Sequence, residues 1–497
     1  MSLPDATAEP PQQKQGGFRG DVLRLATGTG IGQLIGILAA PVITRLFAPE
    51  AYGLAALFAS LTAILSVVAC ARYELSIVLP EKDHQAANLF WLSVLSAMTF
   101  ASMAFLAVWF GGPNILRWIN APELGPYLWL LPAAILIHGL FAALNYWNTR
   151  TGHFTRLSVA EITSRVSGTA ATLGAGFTGF ATAGAMIIAS TFGSALATGV
   201  LGCQIFRDNG RFLLNSFDRR EILSGMKQHR RFPIYSSWAS LINVASWQLP
   251  ILLFGIFFSS AVVGFYALGF RILQMPMSLI GRAIGRVFHQ RAARAHLSGD
   301  LGTLVRNLLR TLAIAGLAPI IALAMVGEDL FSLAFGSNWA EAGVYAQILS
   351  PWAFVWFISS PLSTLFGVLE QQAQGLVLQI SIFVSRLISI GVGAYYENVL
   401  LALALFSASG IVVYGNLVLR IMRLAGISPS SMMDSALSKA MCLAAGMLLL
   451  LLTTKATLVD GPLLVGIGFL STMGYFLFLR NELSSTAIAE FESESHS

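Results

Sequence analysis

Charged residues are scarce in this sequence. Only 11% of its 497 residues are Asp, Glu, Lys or Arg, whereas 56% are hydrophobic and the mean hydropathy is +0.71. A soluble globular protein carries roughly 25% charged residues. A water-soluble fold cannot bury so much apolar surface, whereas a bilayer accommodates it in helices of about 20 apolar residues. The composition therefore predicts an all-α integral membrane protein.

Catalytic and cofactor motifs are also missing. No Gly-Lys pair occurs, which excludes a Walker A phosphate loop, and HExxH, GxSxG and CxxC are absent. Within GTGIGQLIG, the glycines at 28, 32 and 36 recur every four residues of an apolar stretch, so they predict a helix face for close packing. The cysteines, Cys70, Cys203 and Cys442, lie in or beside apolar spans and should behave as small hydrophobes. We expect no cofactor, no metal site and no enzymatic activity.

Long apolar segments are abundant. Fourteen are predicted as membrane spans: 25–44, 51–71, 87–110, 126–147, 157–178, 181–205, 233–257, 260–281, 308–327, 343–368, 376–396, 399–420, 438–454 and 461–479. The polar N-terminal stretch has no apolar signal-peptide core. We expect a disordered tail at 1–21, six-helix bundles at 22–205 and 233–420, a basic linker at 206–232, two additional helices at 438–479 and a tail at 480–497.

Basic residues are concentrated in alternate connections between these spans. With the N-terminus inside, 24 of the 30 lysines and arginines fall in cytoplasmic loops and tails, and only Arg45, Arg117 and Lys455 fall outside. The positive-inside rule then predicts that both termini are cytoplasmic. Attraction to the anionic headgroups of membrane lipids explains the basic loops, so we expect no nucleic-acid partner.

The chain also contains an internal repeat. LFAPEAYGLAALFA (46–59) enters the second span, and FFSSAVVGFYALGFR (257–271) enters the eighth. Each follows a span with an internal proline, and each has a glycine, two variable residues and Ala-Leu after a short turn: Gly53, Ala56 and Leu57, and Gly264, Ala267 and Leu268. Such pseudo-symmetry is typical of secondary transporters, whose substrate path runs between two halves near the membrane midplane.

Three arginines lie inside predicted spans, where a charge costs about 2.5–3.5 kcal/mol and usually faces a cavity or a partner. Arg271 and Arg386 have no acidic residue in their own spans, which predicts a wet cavity whose counter-ion arrives with the substrate. The guanidinium fork suits phosphate. Arg165 follows Glu161 by one helical turn, in the favourable order for an ion pair. The alternatives are an interhelical bond for Arg271, snorkelling for Arg386 and mutual neutralisation for Arg165 and Glu161.

The seventh span carries three polar or aromatic residues beside Pro250. Asn243 and Trp247 lie one turn apart and combine a polar donor with an aromatic platform of the kind that binds sugar rings, although helix–helix hydrogen bonding explains them equally well. We predict a substrate-binding role for Arg271, Arg386, Arg165, Asn243, Trp247 and Gln248, and a coupling-ion role for Glu161.

Two longer runs resemble a known family. The segment 231–294, which begins RFPIYSSWASLINVASWQLP, and RYELSIVLPEKDHQAANLFWLS (72–93) are similar to bacterial polysaccharide-exporting flippases of the multidrug/oligosaccharidyl-lipid/polysaccharide exporter superfamily. The span layout and the central basic loop match as well, so the resemblance covers nearly the whole chain. It implies two six-helix bundles arranged as a V, with two helices appended, in the bacterial inner membrane.

The same resemblance implies a function. By alternating access, a polyprenyl-diphosphate-linked oligosaccharide would move to the periplasmic leaflet for O-antigen, capsule or exopolysaccharide export. Because the sequence has no ATP site, we expect an ion gradient to drive this step. A polysaccharide polymerase and glycosyltransferases are the further partners that it implies.

Three alternatives stay open at this point. A multidrug antiporter of the same superfamily would need carboxylates for cationic drugs, whereas arginines outnumber Glu161 within the spans. A flippase for lipid-linked peptidoglycan precursor shares the anion chemistry, and no motif excludes it. A membrane glycosyltransferase or polymerase would need acidic catalytic residues and a large periplasmic loop.

Overall fold

The computed structural model describes residues 18–277, 282–457 and 461–492, and every regular element in these ranges is helical. The helices of the first part of the chain are α1 Phe18–Leu46, α2 Pro49–Ser66, α3 Asp83–Trp118, α4 Leu130–Arg150, α5 Phe154–Phe177, α6 Ala183–Asn215 and α7 Arg219–Gln228. The remaining helices are α8 Ser237–Phe257, α9 Ser260–Pro276, α10 Arg282–Ser298, α11 Leu301–Phe335, α12 Ala340–Ser359, α13 Leu365–Val368, α14 Gln372–Tyr395, α15 Val399–Leu424, α16 Ser435–Ala456 and α17 Gly461–Glu492.

The helices bear out an all-α, multi-pass membrane protein. Within the described ranges, eleven helices are long and apolar enough to cross a bilayer. The described apolar parts of α1 and α9, Gly32–Leu46 and Ser260–Met275, are shorter. The fifth predicted span corresponds to α5, which carries Glu161 and two arginines. The total of fourteen spans stays a prediction.

Several element boundaries differ from the predicted ones. Helix α2 ends at Ser66 and not near 71, and the backbone turns through left-handed conformations at Ala71 (φ 50°) and Arg72 (φ 61°). The hydropathy pattern missed this end because Ala69 and Cys70 are buried although they are not in the helix. Helix α6 continues into the predicted linker, which also contains α7, and α17 continues into the predicted C-terminal tail. Helix α1 begins at Phe18, and residues 1–17 lie outside the described residues.

The helices pack as two groups. Helices α1 to α6 contact one another and form what we call the first half, and α8, α9, α11, α12, α14 and α15 form the second half in the same way. Helices α16 and α17 pack on α11 and on each other. The halves meet where α2 contacts α8 and α9 and where α1 contacts α11. The predicted domain limits and the V-shaped arrangement are not tested by these contacts and stay predictions.

The two copies of the repeat cross each other at this junction. A Cβ added to Gly53 of α2 would lie 1.7 Å from the carbonyl oxygen of Ser260, and one added to Gly264 of α9 would lie 2.1 Å from that of Pro49. Ser260 precedes Gly264 by four residues, as Pro49 precedes Gly53, so the contact is reciprocal. The helices can approach this closely because both crossing positions lack a side chain.

Further contacts join the halves at the same end of the molecule, which we call the crossing end (residues 44–53, 259–264 and 333–339). The Trp339 indole Nε1 donates to the Thr44 carbonyl at 2.7 Å, and Arg45 Nη2 donates to the Leu333 carbonyl at 3.0 Å. The rings of Tyr52 and Trp339 meet edge to face, with centroids 5.4 Å apart. The crossing end is therefore held by tight packing and by hydrogen bonds between the halves.

Candidate functional site

Arg271 of α9 reaches from the second half to the first. It lies eleven residues after Ser260, about 17 Å into the helix at ~1.5 Å per residue, which is close to the middle of a 30 Å hydrocarbon core. Nη1 donates to the Tyr52 hydroxyl at 3.2 Å, and Nη2 donates to the Gly36 carbonyl at 3.1 Å. The side chain nevertheless remains exposed. Since its partners are on α1 and α2, the guanidinium lies at the junction between the halves.

The partners of Arg271 are neutral oxygens. Within the described chain it forms no ion pair with a carboxylate, so its positive charge is solvated only by a hydroxyl, a carbonyl and the open space beside them. A guanidinium can make five hydrogen bonds. Donors are therefore left over for a ligand, and the charge favours an anion.

The glycine face of α1 admits two arginines, one from each half. A Cβ on Gly36 would lie 2.6 Å from Arg271 Nη2, and a Cβ on Gly32 would lie 3.0 Å from Cγ of Arg165 on α5. Gly32 and Gly36 are one turn apart, about 6 Å along the helix axis. The sequence predicted this face for close helix packing, and α5 does pack on α1. The structure adds that the same face brings Arg165 and Arg271 to one side of α1.

Arg165 pairs with Glu161 inside α5. Arg165 Nε lies 3.2 Å from Glu161 Oε1, while 58% of the arginine side chain and 34% of the glutamate side chain are exposed. The pairing occupies one carboxylate oxygen and one guanidinium nitrogen, and both groups remain accessible. Together with Arg271, the site has two cations and one anion, which is a net positive charge.

Arg386 occupies a different environment. It is buried in the second half, where Nη1 donates to the Ser246 carbonyl at 2.7 Å. Its guanidinium carbon lies 4.6 Å from the centre of the Trp247 ring and 5.4 Å from that of Phe406. The structure does not bring Arg386 to the glycine face of α1 that Arg165 and Arg271 contact.

The three residues predicted on the seventh span face different ways. Gln248 Oε1 accepts a hydrogen bond from the Ser60 hydroxyl of α2 at 3.0 Å, so it joins the halves. Trp247 packs against Arg386 and against Trp356, at 5.3 Å between ring centres. Asn243 is exposed one turn earlier. Of these three residues, Gln248 is the one that contacts the first half directly. The sugar-binding role of Asn243 and Trp247 stays a prediction.

Sequence reasoning missed Tyr52 and Ser60. Ser60 follows Gly53 by seven residues, as Arg271 follows Gly264, and each side chain crosses to the first helix of the opposite half. The repeat carried this signal, since equivalent positions in two copies should make equivalent contacts. Tyr52 could not be found in this way, because its equivalent, Val263, has no polar group.

A second charged feature lies in the connection between α2 and α3. Glu74 is 3% exposed and pairs with Arg72 at 3.3 Å, and among the described residues its Oε2 and Arg72 Nε have no hydrogen-bond partner. Burial raises the pKa of Glu74 above its ordinary value. Residues 73–76 also contact residues 232–236, the turn that precedes α8. This pair therefore lies where the first half meets the start of the second.

Comparison with known families gives a match over more than half of the chain. The model of the polysaccharide biosynthesis protein family matches residues 42–344. Among individual proteins, the teichuronic acid biosynthesis protein TuaB of Bacillus subtilis (strain 168) is 22% identical over 276 residues, which are 54% of this chain and 53% of the relative. The chain thus matches about half the length of that relative.

Solved structures show the same fold. A lipid II flippase MurJ in an inward closed conformation is 12% identical, with a TM-score of 0.67 over 93% of this chain and 100% of that one. An inward-facing multidrug resistance MATE family transporter of the MOP superfamily is 15% identical, with a TM-score of 0.61 over 82% of this chain and 99% of that one. At these identities the likeness concerns the fold alone.

Proposed function

Because this chain belongs to the polysaccharide biosynthesis protein family, we propose that it is a flippase for polyprenyl-diphosphate-linked oligosaccharides. It would serve the export of O-antigen, capsule or exopolysaccharide and would itself catalyse no covalent chemistry. The observation that carries the proposal is the pair of accessible arginines, Arg165 and Arg271, on one face of α1 between the halves. A diphosphate is the anionic part of such a cargo, and guanidinium binds it through charge-assisted, bidentate hydrogen bonds.

The contacts of Arg271 suggest how cargo binding loosens the junction. Its present acceptors, the Tyr52 hydroxyl and the Gly36 carbonyl, are neutral. A diphosphate oxygen carries a full negative charge, so the guanidinium binds it more strongly than it binds a hydroxyl or a carbonyl oxygen. An arriving diphosphate therefore displaces the two oxygens and removes a bond between the halves. The binding energy is then available to favour opening of the crossing end, which is the step that alternating access requires.

The direction of this cycle follows from the charge distribution. If the positive-inside assignment holds, both termini are cytoplasmic and the crossing end is periplasmic. The protein would then lie in the bacterial inner membrane, and the structure, with its crossing end closed, would be a state closed to the periplasm. Cargo enters from the cytoplasmic leaflet, and opening at Gly53 and Gly264 releases it on the other side.

Glu161 is the candidate for ion coupling. A coupling cation bound to this carboxylate would compete with the guanidinium of Arg165, so that ion binding and cargo binding act on the same side chain. The partial exposure of the Glu161 side chain leaves it accessible to such an ion. Such a cycle requires glycosyltransferases, which make the cargo, and a polysaccharide polymerase as partners. No nucleic acid takes part.

Export by whole cells tests the proposal. Deletion of the gene should abolish a surface or secreted polysaccharide while its lipid-linked unit accumulates on the cytoplasmic leaflet, and the intact gene should restore export. Unchanged polysaccharide with arrested cell-wall synthesis would point instead to a peptidoglycan precursor. Unchanged polysaccharide with altered resistance to cationic drugs would support the antiporter.

A further inference from the structure

Pro250 leaves one carbonyl of α8 without its usual partner. Proline has no backbone N–H, so it cannot donate to the carbonyl four residues earlier in a helix. In α8 that carbonyl belongs to Ser246, which is 1% exposed and therefore has no access to water. A buried carbonyl without a hydrogen bond is strongly destabilising.

Arg386 supplies the missing donor. Its Nη1 lies 2.7 Å from the Ser246 carbonyl oxygen, although the two residues are 140 positions apart in the chain. The guanidinium also stacks over Trp247, the next residue of the same turn. The arginine on α14 thus contacts α8 at the one turn where Pro250 interrupts the helical bonding.

The charge of Arg386 needs an explanation of its own. The side chain is 4% exposed, forms no ion pair within the described chain, and its Nη2 has no hydrogen-bond partner. A buried cation is costly, and an apolar residue of similar volume often fills such a position as well or better. A methionine, however, could not donate to the Ser246 carbonyl. The hydrogen bond is therefore the property that distinguishes arginine here.

We propose that Arg386 is a positioning residue that replaces the helical hydrogen bond lost at Pro250 and so fixes the turn of α8 that carries Gln248. Gln248 lies between Ser246 and Pro250 and accepts the hydrogen bond from Ser60 of the first half. Holding this turn holds a contact between the halves. The role is independent of the cargo and differs from a direct substrate-binding role for Arg386.

A double-mutant cycle on the full-length protein tests this role. Arg386→Met should increase hydrogen–deuterium exchange in the α8 peptide 237–257 and lower export by about tenfold, because the Ser246 carbonyl loses the donor that replaces the missing N–H of Pro250. Pro250→Ala restores an N–H to that carbonyl. In the Pro250→Ala background, Arg386→Met should therefore change exchange and export less than about twofold. Pro319→Ala, which restores an N–H to a different helix of the same half, is the control and should give no rescue.

Each result decides the question. If Arg386→Met reduces protein abundance, recovery of abundance in the double variant supports the role, and continued loss contradicts it. Equal effects of Arg386→Met with and without Pro250→Ala would show that the arginine does not act through Ser246. Normal hydrogen–deuterium exchange in α8 together with loss of export in both backgrounds would instead support a direct role of Arg386 in cargo binding. Because exchange is measured without cargo, it reports on Arg386 even if the proposed transport function is wrong.

Discussion

Gly53 of α2 and Gly264 of α9 lie against each other's helix backbones, and neither position has room for a side chain. They are equivalent positions of the two repeats, so the same local sequence builds both sides of the contact. The crossing closes one end of the junction between the halves and places Arg271 about two turns deeper, where its side chain remains exposed. The position of the candidate site thus follows from the crossing.

Substitution of either crossing glycine should prevent this closure. Gly53→Ala or Gly264→Ala would place a methyl group within 2.1 Å of a backbone oxygen, which cannot move without separating the helices. We expect export to fall by about tenfold or more, since overpacking typically costs about 1–3 kcal/mol. Gly199→Ala and Gly446→Ala are matched controls, because nothing lies near their Cβ positions. Full export by an abundant Gly53→Ala protein would contradict the importance of the crossing.

Removal of the Tyr52 hydroxyl tests competition for Arg271. In Tyr52→Phe the guanidinium loses one of its two neutral acceptors, so less is lost when a diphosphate takes their place. The apparent affinity of purified protein for a polyprenyl diphosphate should rise by about threefold to tenfold, the equivalent of one ordinary hydrogen bond. A fall in affinity would show that the hydroxyl binds the cargo and does not compete with it.

The buried Glu74 should make stability depend on pH. Burial raises its pKa above the ordinary value of 4.5, so the folded state favours the neutral carboxyl group. This contribution is fully present below pH 4.5 and is lost as pH rises through the higher folded-state pKa. Glu74→Gln should therefore gain thermal stability relative to the original protein as pH increases above 4.5. Glu81→Gln, at an exposed position of the same connection, is the control. A pH-independent difference between Glu74→Gln and the original protein would exclude this titration.

The orientation in the membrane can be measured independently of transport. Reporter fusions after Arg220 and Ser298 should report cytoplasm, and fusions after Trp339 should report periplasm, because 24 of 30 basic residues would otherwise be on the wrong side. A periplasmic signal from either of the first two positions would reverse or break the proposed topology.

Much of the helical fold was predictable because apolar segments in a bilayer must satisfy their backbone groups as helices. The end of α2 was not predictable, because residues 67–71 are apolar although they do not continue the membrane-spanning helix; they pack inside the protein. Arg271 and Arg386 gave the same sequence signal, an arginine in a span without an acidic neighbour. Their environments differ because a freed carbonyl of α8 lies beside Arg386, and only tertiary packing brings it there. The convergence of Arg165 and Arg271 on α1 depends on contacts between distant parts of the chain, which one sequence does not reveal.

Substitution of Arg271 tests the central claim most directly. Binding of a polyprenyl diphosphate to purified protein, export by complemented cells and membrane abundance should be measured for Arg271→Ala, Arg271→Lys and the control Arg117→Ala, whose arginine is exposed at the end of α3. Arg271→Ala should be abundant but lose export and at least about tenfold in affinity, a loss expected for a charge-assisted hydrogen bond. Arg271→Lys should recover part of both, because it keeps the charge and loses the fork. An abundant Arg271→Ala protein with full binding and full export would contradict the account.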